Sequence, residues 1–176
     1  MDPVVDAILR GALALLWLSS AAHKLRDLAA FRAAVADYEI VPEVATRPVA
    51  GALVAAEIAT GIALLATPTR SPALLASALL LVLYAAAIGA NLLRGRRHID
   101  CGCAGPARRQ PVSAWLVARN GLVAAIALSV LWPIRARAFT WVDGVTLLAG
   151  VCAIAALYTA SDHLLALAPA RARSRS

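Results

Sequence analysis

Residues 73–93 read ALLASALLLVLYAAAIGANLL, a run without a single charged side chain. About 18 or more apolar residues are enough for a helix to cross a hydrocarbon core of about 30 Å, so this stretch predicts a transmembrane helix. The sequence contains further long apolar runs on both sides of it, and the predicted spans are 4–22, 49–66, 73–93, 111–132 and 141–160. We therefore expect an all-α, multi-pass transmembrane helical bundle with a four-helix core and a fifth, C-terminal transmembrane helix.

The composition of the whole chain is typical of a membrane protein. Of its 176 residues, 61% are hydrophobic and only 15% are charged, and the mean hydropathy is +0.76, which is more apolar than ordinary soluble domains. The connections between the spans are too short to hold a separate soluble domain. We expect one transmembrane domain over residues 1–168, followed by a basic, disordered tail over residues 169–176 that is attracted to anionic lipid.

The net charge of +7 is interpreted as a topology signal and not as nucleic-acid binding, because the basic residues lie mainly between the apolar spans. Most of them fall in the connection 23–48, in the connection 94–110 and in the tail, which share one side of the predicted bundle. This distribution predicts a bacterial-type inner-membrane protein with the N-terminus outside and the 94–110 connection in the cytoplasm. The first span is expected to be retained, because no Lys or Arg precedes it as a secretory signal requires.

The connection between the first two spans has a helical period of its own. Apolar residues recur there at helical spacing and alternate with charged ones, a pattern typical of an amphipathic helix lying in the membrane interface. Pro42 is expected to end this helix. The apolar positions are Leu25, Leu28, Phe31, Val35 and Tyr38.

Charged residues inside the spans need partners, because a charge in hydrocarbon is costly. Glu57 and Arg119 each lie eight residues into spans that start from the same side, so both are expected about 12 Å below that surface. We predict an ion pair between them, supported by Asn91 or Asn120, with Arg10 as the second-choice partner. Such a pair fixes helix packing, or its carboxylate relays protons, and the sequence leaves both roles open.

The connection between the third and fourth spans contains Cys101, Gly102 and Cys103. A disulfide needs Cα atoms within about 4.4 to 6.8 Å, and Gly102 lets the backbone bend tightly enough for such near neighbours. Because so small a ring is strained, the pair is expected to exchange as a redox site, with Asp100 as a proton shuttle. Cys152 lies within the fifth span and is interpreted as an inert apolar residue.

Several motifs together resemble the methylamine utilisation protein MauE family, within the wider DoxX-like membrane proteins. The resemblance covers roughly residues 8–130, and its most specific piece is Asp-Cys-Gly-Cys-x-Gly in register with Asn-x-x-Arg-Gly and Arg-Asn. The position after the second cysteine is often aromatic in the family and is Ala104 here. The matching residues are His23 to Asp27, Phe31, Glu57, Gly61, Asn91 to Gly95, Asp100 to Gly105, and Trp115 with Arg119 and Asn120.

The resemblance implies a helper in the maturation of a periplasmic, disulfide-rich methylamine dehydrogenase light subunit. It also implies a likeness to quinone-linked thiol oxidoreductases of the four-helix membrane type, which makes a quinone the candidate cofactor. The partners expected are the lipid bilayer and a thiol or disulfide protein, or a secreted client. A periplasmic client needs the cysteines outside, whereas the charge distribution places them inside.

Three functions remain open from the sequence. The leading hypothesis is a membrane thiol-disulfide oxidoreductase that uses Cys101 and Cys103. The second is a soft-metal protein that binds or transports copper or zinc through these two thiolates and His98, with His23 as a further ligand. The third is a scaffold that assembles another membrane or secreted protein without doing chemistry.

Overall fold

The computed structural model describes residues 1–96, 99, 112–135 and 137–173, and for residues 161–173 it describes the backbone only. All regular structure in this described part is α-helical, as predicted. The helices are α1 (Pro3–Arg26), α2 (Leu28–Asp37), α3 (Glu43–Leu65), α4 (Arg70–Leu93), α5 (Ala114–Ser129) and α6 (Trp141–Arg173).

Four helices are long and apolar enough to cross a membrane, namely α1, α3, α4 and the part Trp141–Ala160 of α6. The prediction of a helical membrane protein is thereby confirmed. The predicted span 111–132 corresponds to α5, which has 16 residues and is shorter than the roughly 20 that a hydrocarbon core requires. Leu79, Leu122, Leu148 and Leu157 are all more than 60% exposed, which in a bilayer is the surface that lipid covers.

The first helix is longer than its predicted span and continues past Ala22 to Arg26. It begins with an N-cap at Asp2, whose carboxylate accepts a hydrogen bond from the backbone N–H of Val4 at 2.8 Å. Asp27 ends α1 and also caps α2, because its Oδ1 accepts from the backbone N–H of Ala30 at 2.9 Å. One aspartate therefore lies at the junction of the two helices.

The connection between α1 and α3 contains a helix, α2, as its apolar spacing predicts. The third helix starts at Glu43, earlier than the predicted residue 49, with Pro48 in its second turn. The sixth helix extends to Arg173 and so includes part of the segment 169–176, for which the composition predicts a disordered tail. Residues 174–176 lie outside the described residues.

The bundle core lies where α1 packs on α3 and where α4 packs on α5. Trp17 is 2% exposed, and its indole N–H donates to Ser77 Oγ at 2.8 Å. Its ring also stacks on Tyr84, with centroids 6.2 Å apart. The indole nitrogen therefore has the partner that a polar group in hydrocarbon requires.

Charged residues tie the helices together at the end of the bundle where α1 begins. Asp6 pairs with Arg70 at 2.7 Å and with Arg10 at 3.3 Å. Arg70 also donates to the carbonyl oxygens of Val130 and Trp132, which satisfies acceptors left open at the C-terminus of α5. Three helices are thereby joined through one guanidinium.

The start of α6 is joined to the N-terminus through Arg137, which pairs with Asp2 and Asp143. Hydrogen bonds from Arg137 and from the backbone N–H of Val4 hold the pKa of the Asp2 carboxyl below its usual range. The bonds to Asp143 and Asp2 raise the pKa of Arg137. The Asp2 carboxylate and the Arg137 guanidinium therefore both stay charged near neutral pH, and their ion pair is retained there.

Two glycines on α3 provide a matched test of the contact with α1. A Cβ at Gly61 would lie 2.8 Å from Leu18 Cγ, whereas a Cβ at Gly51 would meet nothing within 4 Å. We expect Gly61→Ala to lower the free energy of unfolding by about 1–3 kcal/mol. Gly51→Ala is expected to raise it by up to about 1 kcal/mol, because alanine favours helix. Unfolding of both variants in detergent measures the difference, and equal effects would contradict the close approach of α1 and α3.

Candidate functional site

The chemically suggestive segment falls outside the described residues. Asp100, Cys101 and Cys103 belong to residues 100–111, and His98 precedes them, and none of these is described. The structure therefore bears on this site through the described residues that flank it.

The two residues that flank the segment 100–111, Ile99 and Val112, are held next to each other. Ile99 and Val112 are 5% and 3% exposed and pack with Ile88 and Leu116 in one apolar cluster. The backbone N–H of Val112 donates to the carbonyl oxygen of Ile99 at 3.0 Å. The chain thus enters and leaves the segment 100–111 at one buried point beside α4 and α5.

A buried ion pair lies at the same end of the bundle, between Lys24 of α1 and Glu57 of α3. Lys24 is 2% exposed and Glu57 is 0% exposed. The carboxylate oxygen Oε1 accepts from Lys24 Nζ, from the hydroxyl of Tyr84 at 2.7 Å and from Ser20 Oγ at 3.3 Å. The other oxygen, Oε2, accepts no hydrogen bond from any protein group that the structure describes.

Aromatic rings complete the surroundings of the Lys24 ammonium. It lies 4.8 Å from the ring centroid of Phe31 and 4.7 Å from that of Tyr84, and Tyr84 OH is 2.9 Å from Nζ. Cations are attracted to ring faces at such distances, most strongly where water is excluded. Because Phe31 belongs to α2, the short helix covers the ion pair from the side.

The predicted ion pair between Glu57 and Arg119 is wrong, because Glu57 pairs with Lys24 instead. Both residues lie at one predicted depth, but depth does not determine which face of its helix each residue occupies. The predicted first span ends at Ala22, which puts Lys24 in the connection 23–48 and not among the charged residues inside the spans. Arg119 is turned to α6, where its guanidinium lies 4.8 Å from the ring centroid of Tyr158.

The other predicted polar residues are also placed differently. Asn91 is fully buried, and its amide nitrogen donates to the carbonyl oxygens of Tyr38 and Ala87. Asn120 is buried on α5, and neither amide hydrogen-bonds Glu57. Arg10 pairs with Asp6, and it precedes Lys24 on α1 by about 21 Å of helix.

Sequence reasoning missed Lys24, although its spacing was informative. Trp17, Ala21 and Lys24 recur at the helical intervals i, i+4 and i+7, which places them on one stripe of α1. All three are buried. Continuing the helical period through the first basic residues, and not stopping at them, would have found the partner of Glu57.

The hydroxyls of Tyr84 and Ser20 donate to Glu57, and the ammonium of Lys24 donates to Glu57 and to the Tyr84 hydroxyl. No group of three His, Cys, Asp or Glu side chains that could hold a metal occurs among the described residues. The alternative metal ligands Cys101, Cys103 and His98 lie outside that part of the chain.

Comparison with known proteins gives consistent matches. The family described as methylamine utilisation protein MauE matches residues 2–133. The chain is similar to the methylamine utilization protein MauE of Paracoccus denitrificans, at 40% identity over 92% of this chain and 88% of that protein. It is also similar to that of Methylophilus methylotrophus, at 31% identity over 93% and 87%. No solved structure matches.

The buried ion pair predicts a specific energetic coupling. Removing one partner leaves an uncompensated buried charge, so we expect Lys24→Met to cost about 3–5 kcal/mol of unfolding free energy. The double variant Lys24→Met, Glu57→Gln is expected to lose less than the sum of the two single variants. Unfolding in detergent measures this coupling, and a double-mutant cycle of Glu57 with Arg119 is the control. A larger coupling with Arg119 than with Lys24 would contradict the structure.

Proposed function

The chain belongs to the family of the methylamine utilisation protein MauE, and we propose that it is an integral membrane thiol-disulfide redox protein. Its reacting groups are Cys101 and Cys103. The observation that carries the proposal is the bond between Val112 and Ile99. It ties the start and the end of the cysteine segment to the buried end of α4 and α5, so the pair is presented from a rigid base.

The spacing of the two cysteines supports exchange over a structural role. A disulfide between residues two positions apart closes a very small ring, and strained, accessible disulfides are the labile ones. Arg94 and Arg96 precede the cysteine segment along the chain, and positive charge close to a thiol favours the thiolate form that reacts. Asp100 is proposed as the group that passes protons to and from the sulfurs.

The proposed reaction is a two-step thiol-disulfide exchange between this chain and a partner that has two thiols. A partner thiolate attacks one sulfur of the Cys101–Cys103 disulfide, the S–S bond breaks, and a mixed disulfide forms while the other cysteine leaves as a thiolate. A second partner thiolate then attacks the mixed disulfide and releases the chain as a dithiol. Two electrons and two protons pass from the partner to this chain, and the reverse sequence reduces the partner.

The family name connects the chain to methylamine utilisation, and we propose a disulfide-rich client in that process. The resemblance points to the light subunit of a methylamine dehydrogenase, a secreted client. The basic residues of this end of the bundle favour the cytoplasmic side of an inner membrane instead. The side on which the cysteines lie therefore determines whether the partner is a secreted client or a cytoplasmic thiol protein.

We expect the full chain in membranes to form the Cys101–Cys103 disulfide under oxidising conditions and to lose it under reducing ones, as read by mass spectrometry of trapped thiols. Cys101→Ser and Cys103→Ser should each abolish the complete two-electron transfer, because each variant lacks one of the two sulfurs, and one of them should accumulate a mixed disulfide with the partner. Cys152→Ser is the matched control and should exchange normally, since Cys152 lies in the apolar part of α6. A pair that never oxidises would remove the redox function.

An impermeant thiol reagent applied to intact cells should fail to label Cys101 and Cys103 if the charge distribution sets the orientation. The Cys152→Ala background keeps the third cysteine out of the measurement, and permeabilised cells supply the positive control. Fast labelling of intact cells would contradict the proposed orientation and place the reaction with a secreted client.

A further inference from the structure

The connection between α5 and α6 exposes an unusual amount of apolar surface. Three of its aromatic side chains are more than half exposed, namely Trp132 at 73%, Phe139 at 54% and Trp141 at 81%. Ile134 lies between them in the chain and is exposed as well. Exposed apolar surface of this kind marks contact with a membrane or with another protein. We call these four side chains the aromatic patch.

The backbone that carries the patch is held at both ends by charged side chains. After α5, the guanidinium of Arg70 donates to the carbonyl oxygens of Val130 and Trp132. At the start of α6, the backbone N–H and the hydroxyl of Thr140 both donate to Asp143 Oδ2, at 2.7 Å and 2.9 Å. Non-helical backbone can lie at the boundary of a membrane where its polar groups have protein partners of this kind.

The length of α5 indicates where the patch lies relative to the membrane. A helix of 16 residues is about 24 Å long, which is about 6 Å less than a hydrocarbon core of about 30 Å. Val130 directly follows α5, is fully buried, and belongs to the main apolar core together with Ala73 and Leu74 of α4. The chain therefore leaves α5 beside the apolar part of α4, and the connection completes the distance to the membrane surface.

The patch is continuous along the chain with the lipid-facing sides of both helices. Leu128 of α5 is exposed before it, and Val142, Val145 and Leu148 of α6 are exposed after it. The apolar part of α6 that is long enough to cross a membrane begins at Trp141 itself. Since lipid-facing residues adjoin the patch on both sides, the bilayer is the partner that fits it.

We propose that Trp132, Phe139 and Trp141 anchor the chain in the headgroup and glycerol layer of the bilayer, on the side where α1 begins. Tryptophan prefers this layer because its ring is apolar, whereas its indole N–H needs an acceptor, which lipid carbonyl and phosphate groups supply. Arg135 is exposed on the same connection, and a guanidinium there attracts phosphate. The anchor is independent of the proposed redox chemistry of the cysteine pair.

The fluorescence of the full-length protein in phosphatidylcholine vesicles tests this placement. Trp17 is buried in the core and stays in every variant, whereas Trp115→Phe removes the exposed indole at the start of α5. In this background, Trp141→Phe leaves Trp132 as the exposed indole, and Trp132→Phe leaves Trp141. The variant that retains Trp17 alone is the matched control. Each replacement keeps an aromatic ring and concerns an exposed side chain, so the core stays intact.

Bromine on the acyl chains, near the headgroup in one sample and near the chain end in another, reports the depth of each indole. We expect the bromine near the headgroup to quench Trp132 and Trp141 about twofold more than the bromine near the chain end. Acrylamide in the water should quench them less than it quenches free tryptophan. Trp17 alone should be quenched less than either, and adding Phe139→Trp to that control should restore the quenching by bromine near the headgroup.

Three other results would each overturn the anchor. Strong quenching by acrylamide with none by bromine would place the rings of Trp132 and Trp141 in water. Stronger quenching by the bromine near the chain end would place them inside the hydrocarbon core. Shielding of both rings from every quencher would mean that protein, such as a second copy of this chain, covers the patch in place of lipid.

Discussion

The helices of this bundle pack around the buried ion pair of Lys24 and Glu57, and this pair limits how they can be arranged. Two opposite charges with almost no exposure must stay together, because either one alone in an apolar interior costs several kcal/mol. The pair holds α1 to α3, the hydroxyl of Tyr84 adds α4, and the ring of Phe31 adds α2. Four helices therefore meet around one neutralised pair of charges, a few residues from where α1 ends.

The class of fold could be predicted from the sequence because hydrocarbon imposes simple rules. A long apolar run must be helical in a membrane, and the run 73–93 has no other reasonable structure. Helix ends were less predictable, since they depend on single hydrogen bonds such as the cap that Asp27 gives to α2. A hydropathy window stops at the first charges, whereas α1 continues through Lys24 because that charge has a buried partner.

The partners of polar residues could be predicted only in part. Glu57 was identified correctly as a buried charge that needs a cation, but a one-dimensional depth cannot choose between helix faces. The joining of Ile99 to Val112 and of Glu39 to Arg96 depends on how distant turns meet in space, and no local spacing encodes that. The cysteine pair differs from these contacts, because the spacing of Cys101 and Cys103 and the glycine between them suggest redox chemistry from the sequence alone.

The way α6 is attached has a consequence for how the protein can vary. This helix contacts α1 at two glycines. A Cβ on Gly150 would lie 2.8 Å from Ile8, and a Cβ on Gly11 would lie 3.0 Å from Val151. Only 6% of the apolar part of α6 is buried. The main apolar core is built from α1, α3, α4 and α5 without it. The lipid-facing side of such a peripheral helix tolerates substitution between apolar residues. The two glycine positions at which it contacts α1 do not, because a larger side chain there would clash.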